Sequence, residues 1–211
     1  MKQLRGCSHF YTADYSIDES GKMKFGTPEK VAPVKSISRE INAEGEEVWA
    51  DNELQDTTYQ GTKVARTFGV TRLADEMEAK MLGHKTITVG KKIAIVTPPT
   101  GANRPFRAYG YALHDGDPNR PCLLVWAFNG KVTSISQAAN TIDSGTGSEG
   151  QEIAIDFHAA KQVWDATKAS DLDITLPVTA EDDAQALMTK WFTQVVTPDT
   201  IVSLFGEQAA Q

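Results

Sequence analysis

A glycine-rich segment at 145–150 has the spacing of a nucleotide-binding motif. Its sequence, Gly-Thr-Gly-Ser-Glu-Gly, follows the pattern G-x-G-x-x-G. In a dinucleotide-binding fold this pattern follows a strand and opens a helix, whose N-terminus holds the pyrophosphate. Here a strand is predicted after the motif, at 151–157, and Glu149 would repel a phosphate. We therefore interpret the segment as a glycine-rich loop and expect no nucleotide cofactor.

Metal-ligating residue types are present, but their spacing does not form a site. The four histidines stand singly, outside helical spacing of any other histidine or cysteine. Residues 114–119 include carboxylates that suit calcium, yet the remaining ligands and a closing glutamate are missing. A turn between a strand ending near Leu113 and one beginning at Cys122 explains this segment more simply. We expect no metal and no other cofactor.

Residues suited to covalent or acid–base catalysis give no reactive constellation. The sequence has no G-x-S-x-G elbow, and neither Cys7 nor Cys122 stands in a context that would activate a thiol. A pair of carboxylates would suit a glycosidase, but the sequence does not place two of them across a cleft. We predict that the protein is not an enzyme and has no catalytic residue.

The overall composition is that of a folded domain. The chain has 211 residues, 40% hydrophobic and 23% charged, which is enough to bury a core without disulfides or metals. Two cysteines are too few for a disulfide scaffold, which indicates synthesis in a reducing cytoplasm. No apolar run approaches the roughly 20 residues that cross a bilayer, and no signal peptide is evident. We expect no membrane association.

Charge is distributed unevenly along the chain. The formal net charge of -7 argues against a general affinity for nucleic acid. Residues 143–211 hold 12 of the 28 acidic and 3 of the 21 basic side chains. Residues 40–62 hold no base and these acids: Glu40, Glu44, Glu46, Glu47, Asp51, Glu53 and Asp56. Such a run predicts either a solvated loop, or a surface that repels DNA or meets a basic patch on a partner.

The patterns of apolar residues predict a chain built mainly of strands. Alternation of apolar and polar residues predicts strands at 63–73, 86–97, 151–157 and 172–178, the last at a sheet edge because of Pro177. Residues 122–128 are apolar on both faces, which predicts a central strand. Asn129-Gly130 suits a type I′ turn, so we expect a hairpin to a strand at 131–137.

A short helix is predicted inside the strand-rich region. Residues 75–82 are strong helix formers with acids at the start, and Gly83 suits the C-cap. Met77, Met81 and Leu82 would form its buried stripe.

A second helix is predicted at 180–195. Thr179 would be its N-cap, with Asp182 near the capping-box position, and Pro198 would end it. Because this helix follows the last strand, we predict a β domain at 1–178 and a C-terminal helical extension at 179–211, which packs on the core or on a neighbour.

These elements favour a mainly β fold, a β-sandwich or barrel-like domain with one short internal helix and a C-terminal helix. No strand–helix–strand alternation supports a parallel α/β sheet. Core packing is the expected role of the aromatic residues in the predicted strands, which are Phe106, Tyr109, Tyr111, Trp126 and Phe128.

Several short motifs follow one another in a recognisable order over roughly residues 10–160. They are Lys24-Phe25-Gly26-Thr27-Pro28 before the first core strand, Glu47-Val48-Trp49-Ala50-Asp51-Asn52 with its aromatic-Ala-Asp-Asn signature, Tyr59-Gln60-Gly61 before a strand, the helix at 75–82, Asn103-Arg104-Pro105-Phe106 opening the next strand, and the glycine-rich loop before 151–157. In this order of parts the chain resembles the major tail tube protein family of long, flexible-tailed bacteriophages.

The resemblance implies a subunit of hexameric rings that stack into a hollow virion tail tube, assembled in the host cytoplasm. Such a tube surrounds a tape-measure protein, meets tail-tip or terminator proteins, and conducts genomic DNA without binding it specifically. In this family a long loop reaches from one ring to the next, and residues 42–62 match it in position. The implied contacts between subunits or rings are Glu46, Glu47, Trp49, Asp51, Asn52, Glu53 and Tyr59.

Three alternatives remain open at the level of sequence. A carbohydrate-binding β-sandwich would stack Trp49, Tyr59 or Tyr109 on sugar. A hydrolase would need a concave site with a carboxyl group of raised pKa. A distal tail protein, another ring-forming tail component, would share the tube-forming sandwich.

Overall fold

The computed structural model describes residues 4–206 apart from 20–21, 51–52, 99–102, 118, 138–149 and 159–161, and gives only the backbone for the rest of 42–63. Within these residues the chain is mainly β, as predicted. The strands are β1 (Gly6–Ile17), β2 (Met23–Phe25), β3 (Glu29–Ala32), β4 (Val34–Ala50), β5 (Glu53–Val70), β6 (Lys85–Val89), β7 (Lys92–Val96), β8 (Arg107–His114), β9 (Pro121–Gln137), β10 (Gln151–Phe157) and β11 (Asp173–Pro177). The helices are α1 (Asp75–Leu82), α2 (Ala184–Thr193) and α3 (Ile201–Phe205).

Most of these strands belong to one antiparallel sheet. Its hydrogen-bonded order is β2-β1-β8-β9-β10-β5-β4, with β3 also paired to β1 and β11 also paired to β9. Strands β6 and β7 form a separate two-stranded sheet. Because β1 and β4 contact each other from opposite sides of the sheet order, the sheet curls. The sandwich or barrel-like architecture expected from the sequence is therefore confirmed.

The central strand β9 continues through Asn129, where the sequence predicted a hairpin. Before Asn129 it lies between β8 and β11, and beyond Gly130 it pairs with β10. Asn129 has a φ of 52°, the left-handed conformation that a type I′ turn also requires. Here that conformation forms a β-bulge, because β9 carries one residue more than β8 between two successive pairs. The hairpin prediction was wrong, since a bulge and a turn have the same local sequence preference.

One face of the sheet packs against α1. Its core includes Phe10, Phe68 and Phe157, together with the stripe of Met77, Met81 and Leu82 from the helix. The helix begins and ends where the sequence predicted, and Gly83 caps it with a φ of 68°. The Cβ atom of an alanine at Gly83 would also clash with the backbone of Asn103. Both the positive φ and this close approach therefore favour glycine.

The opposite face of the sheet is covered by the C-terminal part of the chain. Trp126 and Phe128 of β9 pack there with Trp164 and with Trp191 and Phe192 of α2. The indole nitrogen of Trp126 donates a hydrogen bond to the carbonyl oxygen of Trp191 at 3.0 Å. The C-terminal segment thus contributes to the main core, whereas the division of the chain at residue 178 stays a prediction.

Helix α2 is shorter than the predicted helix at 180–195. The backbone nitrogen and hydroxyl of Thr179 both donate to the Asp182 carboxylate, and these bonds hold the pKa of that carboxyl below its usual value. The helix begins later, because the neighbouring carboxylate of Asp183 is the one that accepts from the nitrogen of Ala186. The five-residue helix α3, beyond Pro198, was not predicted.

The first core strand also lies earlier than expected. The sequence placed it after the motif at 24–28, whereas β1 precedes this motif and buries Phe10 and Ala13 completely. Strand β1 is irregular near its middle, with a φ of 57° at His9 and a register shift between Phe10 and Tyr11. This irregularity interrupts the alternation by which strands are recognised in a sequence.

Gly110 of β8 pairs with Trp126 of β9, and this close contact gives a stability prediction. A Cβ atom at Gly110 would lie 2.9 Å from the buried Trp126 ring. We expect Gly110→Ala to lower the free energy of unfolding by about 1–3 kcal/mol through overpacking, as measured by thermal or denaturant unfolding. Gly26→Ala is the matched control, because its new Cβ would meet nothing nearer than 3.7 Å. Equal stability of the two variants would contradict this packing.

Candidate functional site

The most distinctive feature of the fold is an arm formed by the distal parts of β4 and β5. The two strands stay paired from Val34 and Val70 as far as Ala50 and Glu53. Strand β10 pairs with β5 only between Val64 and Val70. Residues 42–50 and 53–63 therefore form a two-stranded ribbon beyond the sheet, which we call the arm.

The arm corrects the expectation of a solvated loop at 40–62. At about 3.3 Å per residue, the segment 53–63 spans roughly 35 Å. Its strands were not recognised in the sequence because acidic residues interrupt the apolar alternation that reveals a strand. A two-stranded hairpin is at best marginally stable alone in water, and the paired backbone of the arm lacks the third strand that β10 provides within the sheet.

The structure brings the sequence-predicted site residues together on the arm. Glu46, Glu47 and Trp49 lie on the β4 side of the ribbon, and Glu53 and Tyr59 lie on the β5 side. Gly45 pairs with Tyr59, and Trp49 pairs with Leu54. Asp51 and Asn52 fall outside the described residues. The role of these residues in contacts between subunits stays a prediction.

The base of the arm is fixed to the body by a buried cation. Arg66 of β5 is 1% exposed and forms an ion pair with Asp173 of β11. Its guanidinium also lies 4.6 Å from the centre of the Phe157 ring. On β4, Arg39 lies 3.7 Å from the same Asp173 carboxylate. One carboxylate thus ties β4 and β5 to β11, which holds the curl of the sheet closed.

A cavity of about 540 Å³ lies beside this ion pair, between β1 and β4. The residues that line it include Tyr111, Leu123 and Val125 and the charged residues Arg5, Lys35, Arg39, Arg66 and Asp173. Burial raises the pKa of Tyr111 above its usual value. This lining has no pair of carboxylates and no nucleophile beside a base, so it does not match the arrangement a hydrolase needs.

A hairpin of β6 and β7 lies near the other end of β5. The sequence predicted its strands but not that their apolar side chains are exposed. Strands β6 and β7 follow α1 and contact it. Four apolar side chains of this hairpin are exposed, namely Ile87 (54%), Val89 (62%), Ile93 (42%) and Val96 (42%). Exposed apolar residues grouped in this way mark interaction sites more often than idle surface. Their alternation looked like that of a half-buried strand, which is why sequence alone did not identify an exposed face.

The aromatic residues of the sheet interior are unsuited to stacking on sugar. Tyr109, one of the three residues considered for that role, is 0% exposed, and its burial raises its pKa. Tyr111, Trp126 and Phe128 are buried as well, as predicted, whereas Phe106 is 39% exposed. The proposal that Tyr109 stacks on a ligand was therefore wrong. The core requires its ring for packing against Phe10 and Phe157.

Histidine, cysteine and acidic side chains are dispersed over the residues that the structure describes. Among these, no three histidine, cysteine or acidic side chains lie close enough together to hold a metal ion. The segment 114–119, considered for calcium, connects the end of β8 to the start of β9, as expected of a turn. None of the helices in the described ranges is long and apolar enough to cross a membrane. The glycine-rich segment at 145–149 falls outside the described residues.

Comparison with known proteins gives structural likenesses only. No protein-family model and no curated protein matches the sequence. A chain of the anti-feeding prophage cap, which terminates the AFP tube, is 11% identical over 84% of this chain and 93% of its own length, with a TM-score of 0.42. A chain of the PVC sheath–tube complex, an extracellular contractile injection system in its extended state, is 14% identical over 81% and 90%, with a TM-score of 0.39.

Two further likenesses come from gene transfer agent particles. A chain of the native virion is 16% identical over 70% of this chain and 91% of its own length, with a TM-score of 0.33. A chain of the tail of the empty particle is 14% identical over 72% and 92%, with a TM-score of 0.31. The structures that this chain resembles are thus a tube cap, a sheath–tube complex and gene transfer agent particles.

The ion pair at the base of the arm gives a second prediction. Asp173→Asn leaves the buried Arg66 without a countercharge, so we expect it to lower the free energy of unfolding by about 2–4 kcal/mol, less than for a fully buried pair because Asp173 is partly exposed. Denaturant unfolding measures this loss.

Asp165→Asn is the control, because it breaks an ion pair with Lys22 in which both side chains are mostly exposed. Such an exposed pair contributes little to stability, because water screens it. The closing role of Asp173 would be contradicted if its substitution cost no more than that of Asp165.

Proposed function

We propose that this protein is a structural, non-enzymatic subunit of a phage tail tube. Copies of the chain form hexameric rings, and the rings stack into the conduit through which the genome is delivered. The observation that carries this proposal is the arm, which projects beyond the body of its own sheet. The motifs that resemble those of the tail tube family lie partly on this arm, at 47–50 and 59–61.

The shape of the subunit suits assembly by unlike surfaces. An arm at one end of a subunit has no equivalent at the other end, so a contact between the arm of one copy and the opposite end of the next copy is head-to-tail. Head-to-tail contacts continue from copy to copy, which is the geometry that stacking requires. An isolated two-stranded ribbon is only marginally stable in water. Docking of the arm on a neighbouring copy stabilises it, which also favours stacking.

The edge of the sheet suits contacts within a ring. Strand β4 is the last strand in the described sheet order, so one of its edges presents unpaired backbone groups. Exposed edges of this kind are a liability in a monomer and are satisfied when a neighbouring subunit covers them. In a closed ring every subunit covers the edge of the next, and no edge is left over.

The acidic character of the chain suits a conduit for DNA. A net charge of -7 makes the surface repulsive to phosphates on average. A lumen lined by such a surface lets DNA slide without specific binding. The tape-measure protein, tail-tip or terminator proteins, assembly in the host cytoplasm and location in the virion tail complete the proposal.

Electron microscopy of the purified, concentrated protein tests this function directly. We expect hollow tubes, or rings with six-fold symmetry. A carbohydrate-binding module would instead remain monomeric and would change its tryptophan fluorescence on titration with sugars. Monomers at every concentration and with purified tail-tip complex added would contradict the tube.

Shortening the arm gives a third prediction. Deletion of residues 45–58 joins Glu44 to Tyr59, which are close because Tyr59 pairs with Gly45, the residue after Glu44, so the body should fold without the arm. We expect a folded monomer with the melting temperature of the wild type and no tubes, measured by circular dichroism and electron microscopy. Normal tubes from the shortened chain would refute the role of the arm.

A further inference from the structure

One face of the β6–β7 hairpin combines exposed apolar residues with lysines. The register pairs Lys85 with Val96, Ile87 with Ala94 and Val89 with Lys92. Side chains of cross-strand partners, and of every second residue along a strand, lie on the same face of a ribbon. Lys85, Ile87, Val89, Lys92, Ala94 and Val96 therefore form one face, which we call the basic hairpin face, and all six are exposed.

The charges around this face have one sign. Residues 79–114 contain no acidic side chain, whereas the bases in this range are Lys80, Lys85, Lys91, Lys92, Arg104 and Arg107. Lys80 and Arg107 have acidic partners elsewhere in the chain. With other residues that the structure describes, no ion pair is formed by Lys85, Lys91 or Lys92. The hairpin is thus an exposed cationic surface on an acidic protein.

The arm has the complementary composition. Residues 40–62 carry seven acids and no base. Near the end of the ribbon, apolar Val48, Trp49 and Leu54 stand among several of these acids in the sequence. The basic hairpin face likewise combines apolar and charged residues, with the opposite charge.

The two surfaces lie toward opposite ends of the subunit. Strand β5 begins in the arm and, at about 3.3 Å per residue, its 18 residues span roughly 60 Å. Only four residues separate its end at Val70 from α1, which packs in the same core cluster as Val70 and contacts the hairpin. The hairpin is therefore held near the end of β5 that is far from the arm. An arm cannot bend back to the hairpin of its own chain, but it can meet the hairpin of the next copy.

We infer that the basic hairpin face is the docking surface for the acidic arm of a second copy of this chain. The inference rests on the proposed tube function, whose axial contact it assigns to named residues. Burial of the apolar centre supplies affinity, while the opposite charges steer the approach and set the order of arm and hairpin. Two arms repel each other, as do two hairpins, so stacking runs in one direction only.

A charge exchange in the full-length chain tests the inference. The hairpin variant is Lys85→Glu/Lys92→Glu, and the arm variant is Glu46→Lys/Asp56→Lys, two positions on one face of the ribbon because Asp56 pairs with Val48. Each places like charges across the proposed contact, so we expect the concentration needed for assembly, measured by sedimentation, to rise at least about tenfold. The chain with all four substitutions restores opposite charges and should assemble within about threefold of the wild-type concentration.

A matched control separates this effect from a change in net charge. Lys168→Glu/Lys190→Glu changes the net charge as much as the hairpin variant does, at two exposed lysines of the C-terminal part. We expect this control to assemble like the wild type. Circular dichroism of every variant establishes that the chain is folded, and a mixture of the arm and hairpin variants should assemble although neither does alone.

The outcomes separate the docking surface from the tube itself. Wild-type tubes that persist unchanged in the hairpin variant would overturn the docking surface and leave the tube standing. So would folded four-substitution chains that fail to assemble. Association that follows the charge exchange without hollow tubes would support the docking surface and contradict the tube. A wild-type chain that never self-associates would overturn both.

Discussion

The fold depends on a single strand that pairs with different neighbours along its length. Strand β9 holds β8 and β11 with its first half and β10 with its second half, so both ends of the sheet order connect through it. The bulge at Asn129 makes this possible, because it redirects the strand without ending it. The side chain of Asn129 accepts a hydrogen bond from the hydroxyl of Tyr15, which fixes the bulge to β1. Side chains of β9 are buried on both faces of the sheet. Trp126 packs in the cluster that includes α2, and Val125 and Ala127 pack in the cluster that includes α1.

The sequence could predict those elements whose apolar pattern is regular, whereas β9 and β1 were partly misread. Where a segment has a buried face and a regular period, as in 151–157 or in α1 with Gly83, the apolar pattern or the capping residue identified the element correctly. Asn129-Gly130 was misread because the residues that favour a turn also favour a bulge, and only the partner strand decides between them. Strand β1 was missed because its own irregularity at His9 breaks the alternation.

The candidate site illustrates a different limit of sequence reasoning. The acidic run at 40–62 was singled out by its charge and its role in contacts stays a prediction, whereas its strands were missed because its apolar and polar residues do not alternate. The basic hairpin face was missed for the opposite reason, because its alternation is regular but faces outward. The proposed docking contact connects the two features, because the arm is acidic in sequence and the hairpin face is basic.

Hydrogen exchange of the arm amides tests the central claim, that the arm is completed only by a neighbouring copy. In the monomeric chain, amides of 53–63 should exchange much faster than those of 64–70, which β10 covers on the same strand. In the assembled state the arm should become as protected as the strand within the sheet. Equal and rapid exchange of the arm before and after assembly would show that it contacts nothing, and would contradict the account.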